Sequence, residues 1–219
     1  MPESSIGARL RDARTQRGLS LRSVALSLGV SASLVSQVET GKTQPSVATL
    51  YAMANHLGVS LDELLGIVPP SGRPAAGMFG HSGVPLPNVQ RAADNPVIEM
   101  ENGVRWERLA VGSGGPADAI LVTYEPGASS SVEGRLMRHA GIEYAYVLEG
   151  ELTMRLDFDS FVLGPGDSLQ FESIRPHLFS NTGSTLAKGI WFVLGRRTQA
   201  LPDAEIEAAG VAGLGAIRH

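Results

Sequence analysis

Three side chains in the C-terminal half have the chemistry of a site. His139 and Glu143 stand four residues apart in Arg138-His139-Ala140-Gly141-Ile142-Glu143-Tyr144-Ala145-Tyr146-Val147-Leu148-Glu149-Gly150, and His177 follows in Pro176-His177-Leu178-Phe179-Ser180-Asn181. Two imidazoles and one carboxylate can hold a divalent cation and leave coordination positions open. His139 and His177 can instead be hydrogen-bonded pocket residues without metal, and Glu143 can bind a ligand's amine or a neighbouring Arg. Side chains on a strand alternate with a period of two, so an extended chain would aim His139 and Glu143 to the same side of one strand. That spacing suits two groups pointing into a barrel.

The elements that must position them read as strands. Candidates are Pro96–Glu101, Val104–Ala110, Ala119–Tyr124, Val132–His139, Glu143–Leu148, Glu151–Phe158, Phe161–Leu163, Ser168–Phe171, His177–Asn181 and Lys188–Leu194. They are short, rich in apolar, β-branched or aromatic residues, and separated by Asn-Gly, Pro-Gly and Gly-rich turns, which argues a β-sandwich or barrel. Trp106, Tyr124, Met137, Phe171, Phe179 and Trp191 are expected to line or close it. Met137, Tyr124, Phe179, Arg135 and Trp191 form the candidate effector pocket, with Arg135 and Arg138 at its mouth. Asp167, in Gly164-Pro165-Gly166-Asp167, and Asn181 are assigned to turns.

The first 66 residues read differently. Ile6, Leu10 and Ala13 recur at helical spacing, and Gly18 ends that helix. Ser20 and Ser31 are N-caps for the next two helices, with Gly29-Val30 as the turn between them. Pro45-Ser46 precedes a fourth helix through Val47, Leu50, Met53, Ala54 and Leu57, and Ser60-Leu61-Asp62-Glu63 has the form of a capping box. The third helix, Ser31 to Thr40, has Leu34, Val35 and Val38 on one face. Ala32, Ser33, Ser36, Gln37 and Thr40 lie on the other, small or hydrogen-bonding and without charge. Such a face fits a major groove, where Gln37 can pair with adenine. The backbone N–H groups at Ser20 and Ser31, and the side chains of Lys42 and Thr43, can reach phosphates.

Residues 67–88 form a Gly- and Pro-rich linker, with Met78 and Phe79 apolar enough to pack and His81 a loop residue. The domains expected are therefore 1–66, 89–195 and a C-terminal tail 196–219 with a helix-like piece at Asp203–Ala209. Cysteine is absent from the 219 residues, so no disulfide or thiolate site is available. No apolar run approaches a membrane span and no signal peptide is visible, so the cytoplasm is the expected location. The overall charge of -4 hides an asymmetry. Residues 1–66 have six basic and five acidic side chains, net +1, whereas the rest has twelve and seventeen, net -5.

The ordered set Arg-Gly-Leu-Ser, Val-Ala-Leu-Ser-Leu-Gly-Val-Ser, Leu-Val-Ser-Gln-Val-Glu-Thr-Gly-Lys and Leu-Gly-Val-Ser-Leu resembles the Xre/Cro-type helix-turn-helix family. The resemblance implies a five-helix, lambda-repressor-like domain whose Ser31–Thr40 helix reads DNA and whose Glu39 is structural. Leu21 departs from it, standing where many members carry a polar phosphate contact. The two β motifs resemble the cupin family, a jelly-roll barrel in which three His and one Glu hold a metal. His139, Glu143 and His177 match three of those ligands, and Met137 stands where the first His would be.

Together these imply an α + β two-domain protein, all-α at the N-terminus and all-β at the C-terminus. The function expected is a transcriptional regulator, not an enzyme, whose cupin domain senses a small-molecule effector. Its partners would be palindromic double-stranded operator DNA and a second copy of the chain, joined through the cupin domain, with no membrane partner. One divalent metal (Fe, Zn, Mn or Ni) is the only candidate cofactor. The alternative is a mononuclear non-haem iron oxygenase resembling hydroxypropylphosphonate epoxidase, which also lacks the first His.

Overall fold

A computed structural model describes residues 5–67, 89–110, 117–132 and 134–195. Five serines start the five helices α1 (Ile6–Gln16), α2 (Leu21–Leu28), α3 (Ala32–Glu39), α4 (Val47–His56) and α5 (Leu61–Leu65). The hydroxyls of Ser5, Ser20, Ser31, Ser46 and Ser60 accept hydrogen bonds from the N–H groups of Ala8, Ser23, Leu34, Thr49 and Glu63. Each cap satisfies a donor the helix itself cannot, worth about 1 kcal/mol. At Ser60 the capping box closes, with Glu63 accepting back from the Ser60 N–H. Gly29, at φ 66°, lets the chain turn so sharply that α2 and α3 meet at 114°. Leu10, Val24, Val35, Val38, Leu50, Met53, Leu57 and Leu64 fill the space between the helices. No single helix among the described residues is long and apolar enough to cross a membrane.

Among the described residues the C-terminal domain has nine strands: β1 (Val97–Glu99), β2 (Val104–Leu109), β3 (Ala117–Tyr124), β4 (Ile142–Glu149), β5 (Leu152–Leu156), β6 (Asp159–Leu163), β7 (Ser168–Glu172), β8 (His177–Ser180) and β9 (Ala187–Leu194). A six-stranded sheet runs β1-β2-β3-β9-β4-β7 and a three-stranded sheet runs β6-β5-β8. All pairings are antiparallel. β2, β4 and β9 alternate between buried and more exposed residues, as strands with one face on a core must. Trp106, Ile120, Val122, Met154, Phe171, Phe179 and Trp191 are buried between the sheets.

Two expectations are corrected. Among the described residues of 132–139 no strand forms: an isolated bridge, Met137 to His177, ties this stretch to β8, and another, Ser129 to Ser180, ties the residues before it. A bend at Gly141, φ 124°, then separates His139 from Glu143, which lies on β4. One strand's period therefore does not align the two. His139 is set by its N–H donating to Ser173 O at 3.0 Å, while the Ser173 N–H donates to Gly141 O at 2.9 Å. The 151–158 run also stops early, at Leu156, because Asp157 (φ 54°) turns the chain into β6. Residues 68–88 of the expected linker, with Met78, Phe79 and His81, and the tail 196–219, with Asp203–Ala209, lie outside the described residues.

The helical domain rests directly on the barrel. The Ala48 N–H donates to Ser130 O at 3.0 Å, and the Glu101 N–H donates to Pro45 O at 3.1 Å. Arg108 of β2 donates from Nε to Asp62 Oδ1 of α5 at 2.9 Å and lies 3.5 Å from Asp118. All three side chains are almost fully buried. The remaining Arg108 donors reach the carbonyls of Leu109 and Ala119. A buried pair is tolerable only when its charges are satisfied in this way, and it orients the two surfaces more than it stabilises them.

Candidate metal centre and nucleic-acid interface

His139, Glu143 and His177 converge inside the barrel, all buried, with candidate ligand atoms within 4.8 Å of one another. Glu143 Oε1 lies 2.8 Å from His139 Nε2 and 3.4 Å from His177 Nε2. All three atoms are buried, with no hydrogen-bond partner outside the group. The other ring nitrogens are engaged: Nδ1 of His177 lies 2.8 Å from Arg175 O, and Nδ1 of His139 lies 3.2 Å from Ala140 O. A carbonyl can only accept, so each Nδ1 carries a hydrogen, and Nε2 is the atom each ring offers to the site. Two Nε2 atoms and a carboxylate oxygen then meet at the centre of the group, where one cation could contact all three. The donor set, with its Nδ1–H groups held by backbone, fits a divalent metal. The group could hold a metal in the cupin domain, with Met137 beside it, buried, in place of a fourth ligand. Burial opposes ionisation of Glu143, but the two imidazoles more than offset this and hold its carboxyl down at about 2. Burial, then the nearby Glu143, pushes the Tyr124 phenol up, which keeps it neutral.

A cavity of about 20 Å³ adjoins the group. Of the expected effector-pocket residues, Met137, Tyr124, Phe179 and Trp191 line it, together with Trp106 and Glu143. Arg135 does not. It is exposed, beside Arg138 and Phe158 in a surface hollow outside the barrel. Phe171 supports the site from behind, its ring 4.8 Å from that of His177. Asn181 and Asp167 serve the backbone: Asn181 donates to the carbonyls of Tyr124 and Thr185, and Asp167 accepts from the Gly164 N–H.

Two lining residues, Val47 and Tyr51, come from the helical domain. The Tyr51 ring stacks on that of His139, with centroids 4.5 Å apart and planes 11° apart, and meets Trp106 edge-on at 5.2 Å. Sequence reasoning missed this role. Tyr51 falls among the apolar residues of α4, and nothing local distinguishes a ring that fills its own domain from one that covers another.

The other candidate surface is α3. Ser33, Gln37, Thr40 and Lys42 are exposed, while Ala32, Ser36 and Thr43 are half-buried. Ser20 and Ser31 are occupied as caps, which leaves their backbones, not their hydroxyls, for a phosphate. The Thr40 hydroxyl donates back to Ser36 O at 2.8 Å. Leu21 is half-buried against the core. On the inner side, Glu39 accepts from Arg14 Nε at 2.6 Å and Nη2 at 2.8 Å, and the carboxylate raises the Arg14 pKa. This two-pronged pair fixes α3 against α1.

Residues 10–64 match the helix-turn-helix family and residues 120–193 match the cupin domain family. The chain is 28% identical over 189 residues to the HTH-type transcriptional regulator PuuR of Escherichia coli K12, covering 83% of this chain and 90% of the relative. It is 25% identical over 174 residues to the HTH-type transcriptional regulator SutR of the same organism, covering 80% and 85%. A crystal structure of an HTH_3 family transcriptional regulator from Vibrio cholerae shares the fold, with a TM-score of 0.60 at 22% identity, over 88% of this chain and 96% of that one. With the helical domain set on a barrel and both domain families matched in order, the chain carries a helix-turn-helix domain followed by a cupin domain and is similar over most of its length to HTH-type transcriptional regulators.

Proposed function

We propose that the chain reads double-stranded operator DNA with α3, that domains 1–66 and 89–195 divide DNA binding from sensing, and that the cupin pocket responds to a small effector or metal. One observation carries this reading most directly. Ser33, Gln37 and Thr40 form an exposed, uncharged row on a short helix held at 114° to its neighbour, with Lys42 just beyond. Gln37 suits bidentate pairing with adenine, and Lys42 suits a phosphate. The test uses an operator selected from random duplexes by the wild-type protein. Gln37→Ala should weaken binding to that operator by about 1–3 kcal/mol and change binding to random DNA little. Equal loss on both would remove Gln37 as a base reader.

A single head makes few base contacts, so two copies reading half-sites about 34 Å apart are required by this reading. The outer face of β4 supports it. Ile142, Tyr144, Tyr146 and Leu148 project outward, each 37–47% exposed, and Phe192 of β9 lies opposite Tyr144 at 45% exposed. An exposed aromatic and aliphatic stripe on β4 and its neighbour β9 suits an isologous contact with a second copy.

The His139-Glu143-His177 group also favours a second reading, a non-haem iron oxygenase. The cavity beside it weighs against that. At about 20 Å³ it accepts roughly one water and no organic substrate while α4 is in place.

A further inference from the structure

The barrel opening beside the His139-Glu143-His177 group is covered by part of the DNA-binding domain. Val47 and Tyr51 of α4 line the cavity, and Tyr51 lies flat on the imidazole of a candidate ligand. Around this contact the two domains are fastened at separate points. Pro45 and Ala48 bond to Glu101 and Ser130 through the backbone, and Asp62 pairs with the buried Arg108. The cavity left under Tyr51 holds roughly one water. Any ligand larger than that, entering the open side of the metal group, must displace the Tyr51 ring, and α4 carries that ring.

From this we infer that helix α4 of the DNA-binding domain is the lid of the cupin pocket, and that Tyr51 is the positioning residue joining the state of the metal group to the position of the head. The inference rests on the reading of His139, Glu143 and His177 as a metal site. Two consequences follow from the geometry. With the head docked, the stacked ring holds His139 in one orientation, so the ligand set is preorganised and an ion is slow to leave. With an ion bound, His139 is fixed from inside the barrel and offers Tyr51 a rigid surface, so the head is held more firmly. By linkage these are one free energy seen from two sides. A pocket ligand too large for the closed cavity would select the released head and weaken docking by the same coupling.

This differs from a barrel that senses alone and passes its state on through a dimer interface. In that arrangement the residues of α4 and α5 would have no influence on the metal. Here they do, including Asp62, which does not line the cavity.

The test uses the full-length protein and zinc as the probe. Both tryptophans of the chain, Trp106 and Trp191, line the cavity, so their emission reports on occupancy. Zinc stoichiometry is measured first by elemental analysis, with His177→Ala as the variant lacking a ligand. Zinc release to excess chelator is then timed by tryptophan emission for wild type, Tyr51→Ala and Asp62→Asn, each checked for folding by circular dichroism. Hydrogen exchange of the α4 amides is followed with and without zinc. The expected result is about one zinc on the wild type and none on His177→Ala. Release should be about tenfold faster or more in both Tyr51→Ala and Asp62→Asn, and α4 exchange slower with zinc bound. Asp62→Asn keeps the size of the side chain, so it tests the lid even if Tyr51→Ala fails to fold. Zinc held by the wild type and released at the same rate from the folded variants, with α4 exchange unchanged, overturns the lid and leaves the metal site standing. A wild type that binds no zinc removes the metal site, and the lid inference with it.

Discussion

Removing the carboxylate of Glu39 tests whether the inner side of the DNA-reading helix is held by one buried pair. Arg14 makes three contacts: Nε and Nη2 donate to Glu39 at 2.6 and 2.8 Å, and Nη1 donates to Leu19 O at 2.8 Å. The side chains are 11% and 3% exposed. Glu39→Ala leaves the guanidinium with one carbonyl for company. Breaking a buried pair by deleting one partner costs about 3–5 kcal/mol, because the remaining charge is stranded. Arg14 keeps the Leu19 carbonyl and a sliver of solvent, which lowers the expected loss to about 2–4 kcal/mol. Among the described residues every α-helix lies in the first domain, so urea unfolding followed by far-UV circular dichroism reports on that domain. The double variant Arg14→Met with Glu39→Leu replaces both charges by apolar groups of similar length and should recover most of the loss. A Glu39→Ala loss below about 0.5 kcal/mol, or a double variant no more stable than the single one, would refute the claim that stranded charge is what the pair prevents.

Other outcomes follow from the same geometry. Tyr144→Glu, a charge in the middle of the exposed β4 stripe, should turn a dimer into a monomer by light scattering without changing the far-UV spectrum; an unchanged mass places the contact elsewhere. Gly150→Ala should destabilise the barrel by about 2–4 kcal/mol, since φ is 71° and the new Cβ would sit 2.2 Å from Leu186 O. Gly127→Ala, at φ 78° with nothing within 4 Å, isolates the backbone cost and should lose only about 1–2 kcal/mol. Equal losses would mean that the close approach at Gly150 is not felt. Growth with iron, manganese, zinc or nickel should yield protein holding about one ion per chain that chelation removes with a fall in thermal stability; stability indifferent to chelation argues for a hydrogen-bonded pocket.

Much of this protein was legible in its order of residues. Serine caps, glycine stops and an apolar period near 3.6 are local signals, so the five helices and the outward row Ser33, Gln37 and Thr40 could be read directly. Short strands with turn residues between them announced the barrel, and the types of His139, Glu143 and His177 announced the chemistry. Tertiary structure decided the rest, because it depends on what lies across space from each residue. Local spacing aligned His139 and Glu143 for the wrong reason. They converge through a bend at Gly141 and a bond to Ser173, a partner more than thirty residues away. Arg135 was grouped with the pocket by proximity along the chain, yet it points away from it. Arg108 and Asp62, forty-six residues apart, carry no local signal that they are buried together. Most of all, Tyr51 carries no sequence signal for its position. A helical period shows that a ring faces inward but not whose interior it faces, and only the docking of one domain on the other sets it against His139.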